Sequence, residues 1–129
     1  MMQRGDIDTI VSWVPEGGKV LDLGCGDGEL LHRLQNEKRI EGLGVDIDPA
    51  NIIAAVSKGM CVVQQDMEDG LQNFAGSRFD AVIIAYSLQV LERPHAVLER
   101  IVSIGNEAIV TFPNFGHWRS RLSLLLSGR

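Results

Sequence analysis

The sequence predicts an α/β domain built on a doubly wound parallel sheet. Short apolar segments alternate with helix-forming segments throughout its 129 residues. The segment 79–85 is apolar almost throughout, as expected for a strand covered on both faces. The strand 19–23 runs directly into a glycine-rich turn and a helix. Strands separated by helices imply parallel pairing through right-handed crossovers.

The first elements follow from spacing and from helix-stop signals. Ile7, Ile10, Val11 and Val14 recur at helical spacing and predict a short amphipathic helix, which the Pro/Gly segment 15–18 ends. The later elements, in order, are a strand at 19–23, a helix from residue 29, a strand at 40–46, a helix at 50–58 with Ile52, Ile53 and Val56 facing inward, strands at 60–64 and 79–85, a helix at 94–104, a strand at 106–112 and a last helix at 117–126.

Composition limits the classes of function. With 12 basic and 17 acidic residues the formal charge is −5, which argues against a nucleic-acid backbone as partner. No apolar run reaches the ~18 residues needed to span a bilayer, so we expect no membrane partner. Cys25 and Cys61 form neither a C-x-x-C pair nor a zinc pattern. We expect no metal site, two free buried cysteines and a cytoplasmic location.

The turn after the first strand is the most informative segment. Gly24, Gly26 and Gly28 occupy alternate positions, with Asp22 two residues before the first of them. Glycines let the backbone approach a ligand, and the helix that follows presents unpaired N–H groups. A dinucleotide fingerprint would require glycine at position 29, where the chain has Glu29. The spacing resembles motif I of class I S-adenosylmethionine (SAM) dependent methyltransferases. The alternative is a turn that uses glycine for geometry alone.

A second feature supports a nucleoside ligand. Asp46 ends the predicted second strand, and 46 − 28 places it 18 residues beyond Gly28. In nucleotide-binding βαβ units a carboxylate near that distance accepts both ribose hydroxyls. The alternative role is helix capping, but Asp48 followed by Pro49 suits a cap better. We therefore expect Asp46 to be free for ribose.

Two further strand ends carry candidate residues. Asp66 can accept the adenine amino group and the Met67 N–H can donate to a ring nitrogen; the alternative is a solvated acidic turn. Ser87 and Gln89 follow the fourth strand, where methyltransferases face the methionine part of the cofactor and the substrate. A polar loop needs no such role, so both interpretations stay open. No catalytic residue can be named.

The chain as a whole resembles the MetW family, methyltransferase-like proteins of bacterial methionine biosynthesis. The similarity rests on VLDLGCGDGELL, GVDID, VQQDMEDGL and FDAVIIAYSLQVL, and most specifically on TFPNFGHWRSRLSLLL. It implies a pocket for SAM or S-adenosylhomocysteine (SAH), with ribose at Asp46 and adenine at Asp66 and Met67. The methionine end would lie at Asp22, Gly24, Gly26 and Gly28. It also implies work beside a MetX-like homoserine O-acyltransferase.

The resemblance also sets an expectation for the end of the chain. Class I methyltransferases have seven strands, so a single domain over residues 1–129 would be truncated after the fifth strand, with the C-terminal strands missing. The apolar residues near the end would then lack cover, and we expect self-association, most simply a homodimer. These residues are Phe112, Phe115, Trp118, Leu122, Leu124, Leu125 and Leu126.

Three functional classes remain open on the sequence. The first is an active methyltransferase acting on a small molecule or protein. The second is a SAM-binding partner that supports a methionine-pathway enzyme without transferring methyl. The third, a nicotinamide oxidoreductase, is disfavoured by the misplaced third glycine. The methyl acceptor is not specified by any residue pattern.

Overall fold

The computed structural model describes residues 4–85, 93–112 and 118–123. The helices are α1 (Arg4–Trp13), α2 (Glu29–Lys38), α3 (Pro49–Ser57), α4 (Met67–Gly70) and α5 (Pro94–Ile104), with a 3₁₀ turn at Leu71–Phe74. The strands are β1 (Lys19–Leu23), β2 (Glu41–Asp46), β3 (Val62–Gln64), β4 (Ala81–Ala85), β5 (Glu107–Phe112) and β6 (Trp118–Ser123).

These strands form one sheet in the order β3-β2-β1-β4-β5-β6. The strands β1 to β5 pair in parallel, as predicted. The order reverses at β1, because the chain moves outward through β2 and β3 and then returns to place β4 on the other side of β1. Ligands of such sheets bind at the carboxyl ends of the strands beside this reversal. Leu23, at the end of β1, pairs with Val45 on one side and Ile84 on the other.

Helices cover the sheet on both faces, which confirms the doubly wound prediction. On one face α1 and α2 bury Ile10, Leu31 and Leu34 against Val20 of β1. On the other face α5 packs against the next residue of the same strand, Leu21. Side chains of a strand alternate between faces, so β1 contributes to both cores. Each large aliphatic side chain fully buried in this way contributes about 1.5–3 kcal/mol.

The buried side of α3 differs from the prediction. Ile53 and Val56 are 70% and 57% exposed, whereas Ala55 is fully buried. The helix lies over β3 at the sheet edge, where there is less surface to cover, and it packs through its small residue. The expected inward position of Ile53 and Val56 is therefore wrong. Cys61, expected to be buried, is exposed just before the edge strand, while Cys25 is buried; both are free.

The helix expected at 117–126 is also wrong. Residues Trp118–Ser123 form β6, which pairs antiparallel with β5 from Phe112↔Trp118 to Glu107↔Ser123. Pairing satisfies the backbone groups along the outer edge of β5, and short apolar segments do not distinguish helix from strand by periodicity. The sheet thus has an antiparallel sixth strand beside the five expected.

Between β3 and β4 the chain forms α4 and the 3₁₀ turn, neither of which was predicted. The turn buries Leu71 in the core face that also holds α5. Ser87, Gln89, Phe115 and residues 124–126 lie outside the described residues. Among the helices that the structure describes, none is long and apolar enough to cross a membrane.

Candidate functional site

The glycine loop forms the turn between strand and helix that its sequence predicts. Gly24, Gly26 and Gly28 have φ angles of 80°, 60° and 84°, in the left-handed region that favours glycine. The N–H groups of Gly24 and Cys25 both donate to the carbonyl of Val45, at 2.7 and 3.0 Å. The Gly28 N–H donates to the Cys25 carbonyl at 3.1 Å. The loop is therefore fixed at the carboxyl end of β1 and against the end of β2.

The last two glycines differ in what surrounds them. A Cβ at Gly26 would meet no heavy atom within 4 Å, so this part of the loop borders open space. A Cβ at Gly28 would lie 3.0 Å from the Ala55 Cβ, and 3.2 Å from its Cα. Gly26 therefore leaves room for a ligand to approach the backbone, while Gly28 allows the start of α2 to pack against α3.

Asp46 lies at the end of β2, facing the glycine loop. Its Oδ2 accepts the Gly26 N–H at 2.8 Å, and its Oδ1 accepts the Asp48 N–H at 2.9 Å and the Asn51 side-chain amide at 3.4 Å. Asp46 thus already accepts three donors, although it does not cap α3. A carboxylate has about four acceptor positions, so capacity for a further donor remains. The helix cap is Asp48, as predicted, whose side chain accepts the Ala50 N–H at 2.9 Å.

Asp22 is the one polar or charged residue among the described side chains that is buried, at 2% exposure. Within the described part of the chain its Oδ1 has no hydrogen-bond partner. Burial, and then the negative charge of Asp46, raise the pKa of Asp22 to about 7. Burial of a carboxyl group without a donor favours its protonated form. Asp22 therefore places an unsatisfied acceptor beside the glycine loop.

The same environment bears on Cys25. The pKa of its thiol is raised to about 12. Burial of the side chain is the largest cause, and the negative charges of Asp22 and Asp46 add to it. A thiol with so high a pKa stays protonated and is a poor nucleophile. Cys25 thus serves the loop as a small residue. No cluster of three His, Cys, Asp or Glu side chains that could hold a metal occurs among residues 4–85, 93–112 and 118–123.

The third strand end holds one predicted and one unpredicted side chain. Asp66 is exposed and caps α4, since its Oδ1 accepts the Glu68 N–H at 2.8 Å. Met67 is the first residue of α4. Gln65 was missed by the sequence analysis, yet its Oε1 is buried with no partner in the described structure. Ile47, also missed, is 62% exposed directly after Asp46. The exposure of Ile47 beside a polar strand end indicates a candidate binding surface, and only the structure reveals it.

The fold thus brings some of the predicted site together. Asp22, the glycine loop and Asp46 meet at the carboxyl ends of β1 and β2, while Asp66 lies at the end of β3, beyond β2. The arrangement offers open space at Gly26, together with the carboxyl groups of Asp22 and Asp46. Such a site can hold a ligand that has hydroxyl and amino donors.

Known proteins resemble this chain in sequence. The family model described as "Methionine biosynthesis protein MetW" matches residues 4–129. A relative from Rhodopirellula baltica, named "Bifunctional methionine biosynthesis protein MetXA/MetW", is 33% identical over 132 residues. The match covers 96% of this chain but only 21% of that relative.

Solved structures resemble it in fold. A TehB-like SAM-dependent methyltransferase from Corynebacterium glutamicum is similar with a TM-score of 0.72 and 25% identity, over 88% of this chain and 65% of that protein. A SAM-dependent methyltransferase from Geobacter sulfurreducens, solved in complex with SAH, has a TM-score of 0.67 and 17% identity, over 84% of this chain and 48% of that protein. The sheet order and the glycine loop agree with that fold class. On the match across nearly its whole length, the chain belongs to the MetW family of methionine biosynthesis proteins.

Proposed function

We propose that this chain is a SAM-binding, methyltransferase-like protein that serves methionine biosynthesis. The observation that carries the proposal is the contact between Gly26 and Asp46 at the strand-order reversal. It places a carboxylate suited to ribose hydroxyls directly beside a backbone with open space in front of it. Membership of the MetW family and the similarity to SAM-dependent methyltransferases support the same ligand.

The roles of individual residues belong to the proposal. Asp46 would accept the ribose hydroxyls, exchanging or sharing its present donors. Asp22 and the loop of Gly24, Gly26 and Gly28 would surround the methionine end, where the unpartnered Oδ1 of Asp22 suits an ammonium donor. Asp66 and Met67 would receive the adenine, and Ile47, exposed directly after Asp46, would add apolar surface.

The proposed chemistry requires little of the chain. When bound, SAM supplies a methyl group that its sulfonium already activates. The residues described here would bind and orient the ligand, and alignment with an acceptor can supply most of the rate of such a transfer. Ser87 and Gln89 remain substrate-side proposals. No residue is assigned as a general base, and the methyl acceptor stays unspecified.

The second candidate function is an active methyltransferase on a small molecule or protein. It is favoured by the similarity to the Corynebacterium glutamicum enzyme named above. Transfer of labelled methyl from SAM to a cell extract would separate the two. Label appearing in an extract component with this protein, but not with its Asp46→Ala variant, would favour the enzyme. Binding of SAM without any labelled product would favour the supporting role.

We further propose a MetX-like homoserine O-acyltransferase as partner. The bifunctional relative supports it, since its name joins MetXA and MetW in one chain. Self-association is a separate proposal, supported by the exposed apolar side chains of Ile53 and Val56. Light scattering over a concentration series tests it, and a monomer at every concentration would refute it.

The ligand class is tested by calorimetry and thermal unfolding with SAH and with NAD. We expect SAH to bind and to raise the unfolding temperature, because the loop spacing and Asp46 suit an adenosyl ligand. At ~100 times its dissociation constant a ligand stabilises the folded state by about 2.7 kcal/mol. A larger thermal shift with NAD than with SAH would overturn the assignment.

A further inference from the structure

Beyond the bonds of Gly24 and Cys25 to the Val45 carbonyl, the glycine loop is joined to the β2–α3 unit at three further points. The first is the hydrogen bond from Gly26 to Asp46, and the second is the close packing of Gly28 on Ala55. The third involves Asp27, between the two glycines. Its carbonyl accepts a hydrogen bond from the Lys58 Nζ at 2.9 Å, and its Oδ2 lies 3.3 Å from the same nitrogen.

Lys58 is held in place by its backbone at the end of α3. It is the C-cap residue of α3, and its backbone N–H donates to the carbonyls of Ala55 and Val56. Gly59 follows with a φ of 85° and ends the helix. The side chain is about one-third exposed, so it reaches the loop along the protein surface. Position 58 therefore connects the end of α3 with a loop 31 residues earlier.

Lys58 contacts the backbone carbonyl of Asp27 as well as its charged side chain. A peptide unit is planar, so an ammonium bound to the Asp27 carbonyl also fixes the direction of the Gly28 N–H in the same unit. That N–H donates to the Cys25 carbonyl and closes the loop. The Asp27 side chain is engaged as well, since its Oδ1 accepts the Glu29 N–H at 3.1 Å. Lys58 thus restrains the peptide between the second and third glycines.

We propose that Lys58 is a positioning residue that holds the glycine loop in the conformation that receives the methionine end of a SAM-type ligand. This inference rests on the proposed function, since it requires that the loop binds that end. Lys58 itself need not touch the ligand. Its contact is with the Asp27–Gly28 peptide, whereas Asp46 accepts the N–H groups of Gly26 and Asp48, and Asp66 caps α4.

The test compares two probes on one set of variants by calorimetry or competition. SAH has the methionine part and adenosine lacks it. We expect Lys58→Met to lower the affinity for SAH about three- to five-fold and to leave the affinity for adenosine unchanged. A loss of this size is near the upper range for an exposed charge pair. Lys58→Arg, which keeps a cationic donor, should restore SAH affinity. The matched control is Lys38→Met, which removes a similar bond, from Nζ to the Val14 carbonyl at 3.0 Å, at the end of α2. It should leave both affinities unchanged.

The outcomes separate this inference from the proposed function. Equal losses for SAH and adenosine in Lys58→Met, with a lower unfolding temperature, would mean a general structural role and would overturn the inference. Unchanged SAH affinity in Lys58→Met would overturn it as well, while the proposed function stood. No SAH binding by the parent protein would remove the proposed function and the inference together.

Discussion

The Asp46 carboxylate accepts the Gly26 N–H at 2.8 Å, across 20 positions of sequence. The bond joins the end of β2 to the loop that follows β1, so the residue proposed for ribose also shapes the loop proposed for the methionine end. The two halves of the candidate site are therefore not independent. A change at Asp46 should alter both ligand affinity and the stability of the loop.

For this reason we expect Asp46→Ala to weaken SAH binding by roughly 1.5–3 kcal/mol, the range for hydrogen bonds to a charged group. Unfolding without ligand should also become easier, since the N–H groups of Gly26 and Asp48 lose their acceptor. Asp48→Ala is the control, because it removes only the helix cap. It should cost about 1 kcal/mol of stability and leave affinity unchanged. If folded Asp46→Ala binds SAH as tightly as the parent, the ribose role is wrong.

A glycine of the loop and one before β1 provide a second matched pair. Gly26 and Gly17 have φ angles of 60° and 74°, and neither has a heavy atom within 4 Å of the position of a Cβ. Valine at either position is strained in the left-handed region. Only Gly26→Val should also abolish SAH binding, because its side chain would fill the space before the loop. Circular dichroism and calorimetry on both variants check this. Unchanged affinity in Gly26→Val would leave the glycines with a turn role alone.

The raised pKa of Asp22 predicts how the free energy of unfolding depends on pH. Its pKa rises from 3.8 to about 7 on folding, so between these values the folded state holds a proton that the unfolded state releases. This contribution to the free energy of unfolding is complete below pH 3.8 and is lost as pH rises through about 7. Urea unfolding of the ligand-free protein should therefore show a stability that declines toward neutral pH. One proton accounts for at most about 1.4 kcal/mol per pH unit.

Asp22→Asn isolates this contribution. The amide is nearly the same size and cannot titrate, so the stability of the parent relative to the variant should fall between pH 3.8 and about 7. Taking the difference removes the titrations that are common to both proteins. A difference that is constant over this pH range would contradict the raised pKa.

The partner proposal predicts a complex. A tagged version of this protein should recover a MetX-like homoserine O-acyltransferase when the two are co-expressed, with or without added SAH. The methyltransferase of similar fold from Geobacter sulfurreducens serves as the control bait and should recover none. Recovery of no acyltransferase by the protein in either condition would remove this partner. The SAM-binding proposal would remain.

The sequence alone determined the features that depend on local chemistry. Glycine at 24, 26 and 28 predicted a turn, and the structure forms it with positive φ, which other residues resist. Asp48 before Pro49 predicted a helix start, since a short acceptor and a fixed φ both suit the first turn. The same local signals placed α5 at Pro94–Ile104 and the order of strands and helices around it.

The tertiary structure decided what depends on distant neighbours. Apolar spacing could not choose Ala55 over Ile53 as the buried side of α3, because that depends on the backbone of Gly28, which leaves room only for a small residue. Segment Trp118–Ser123 forms a strand because β5 offers it an unpaired edge. The partners of Asp46 and the burial of Asp22 likewise arise only when β1 and β2 lie side by side. Contacts between residues far apart in the chain carry no periodic signal that the sequence could reveal.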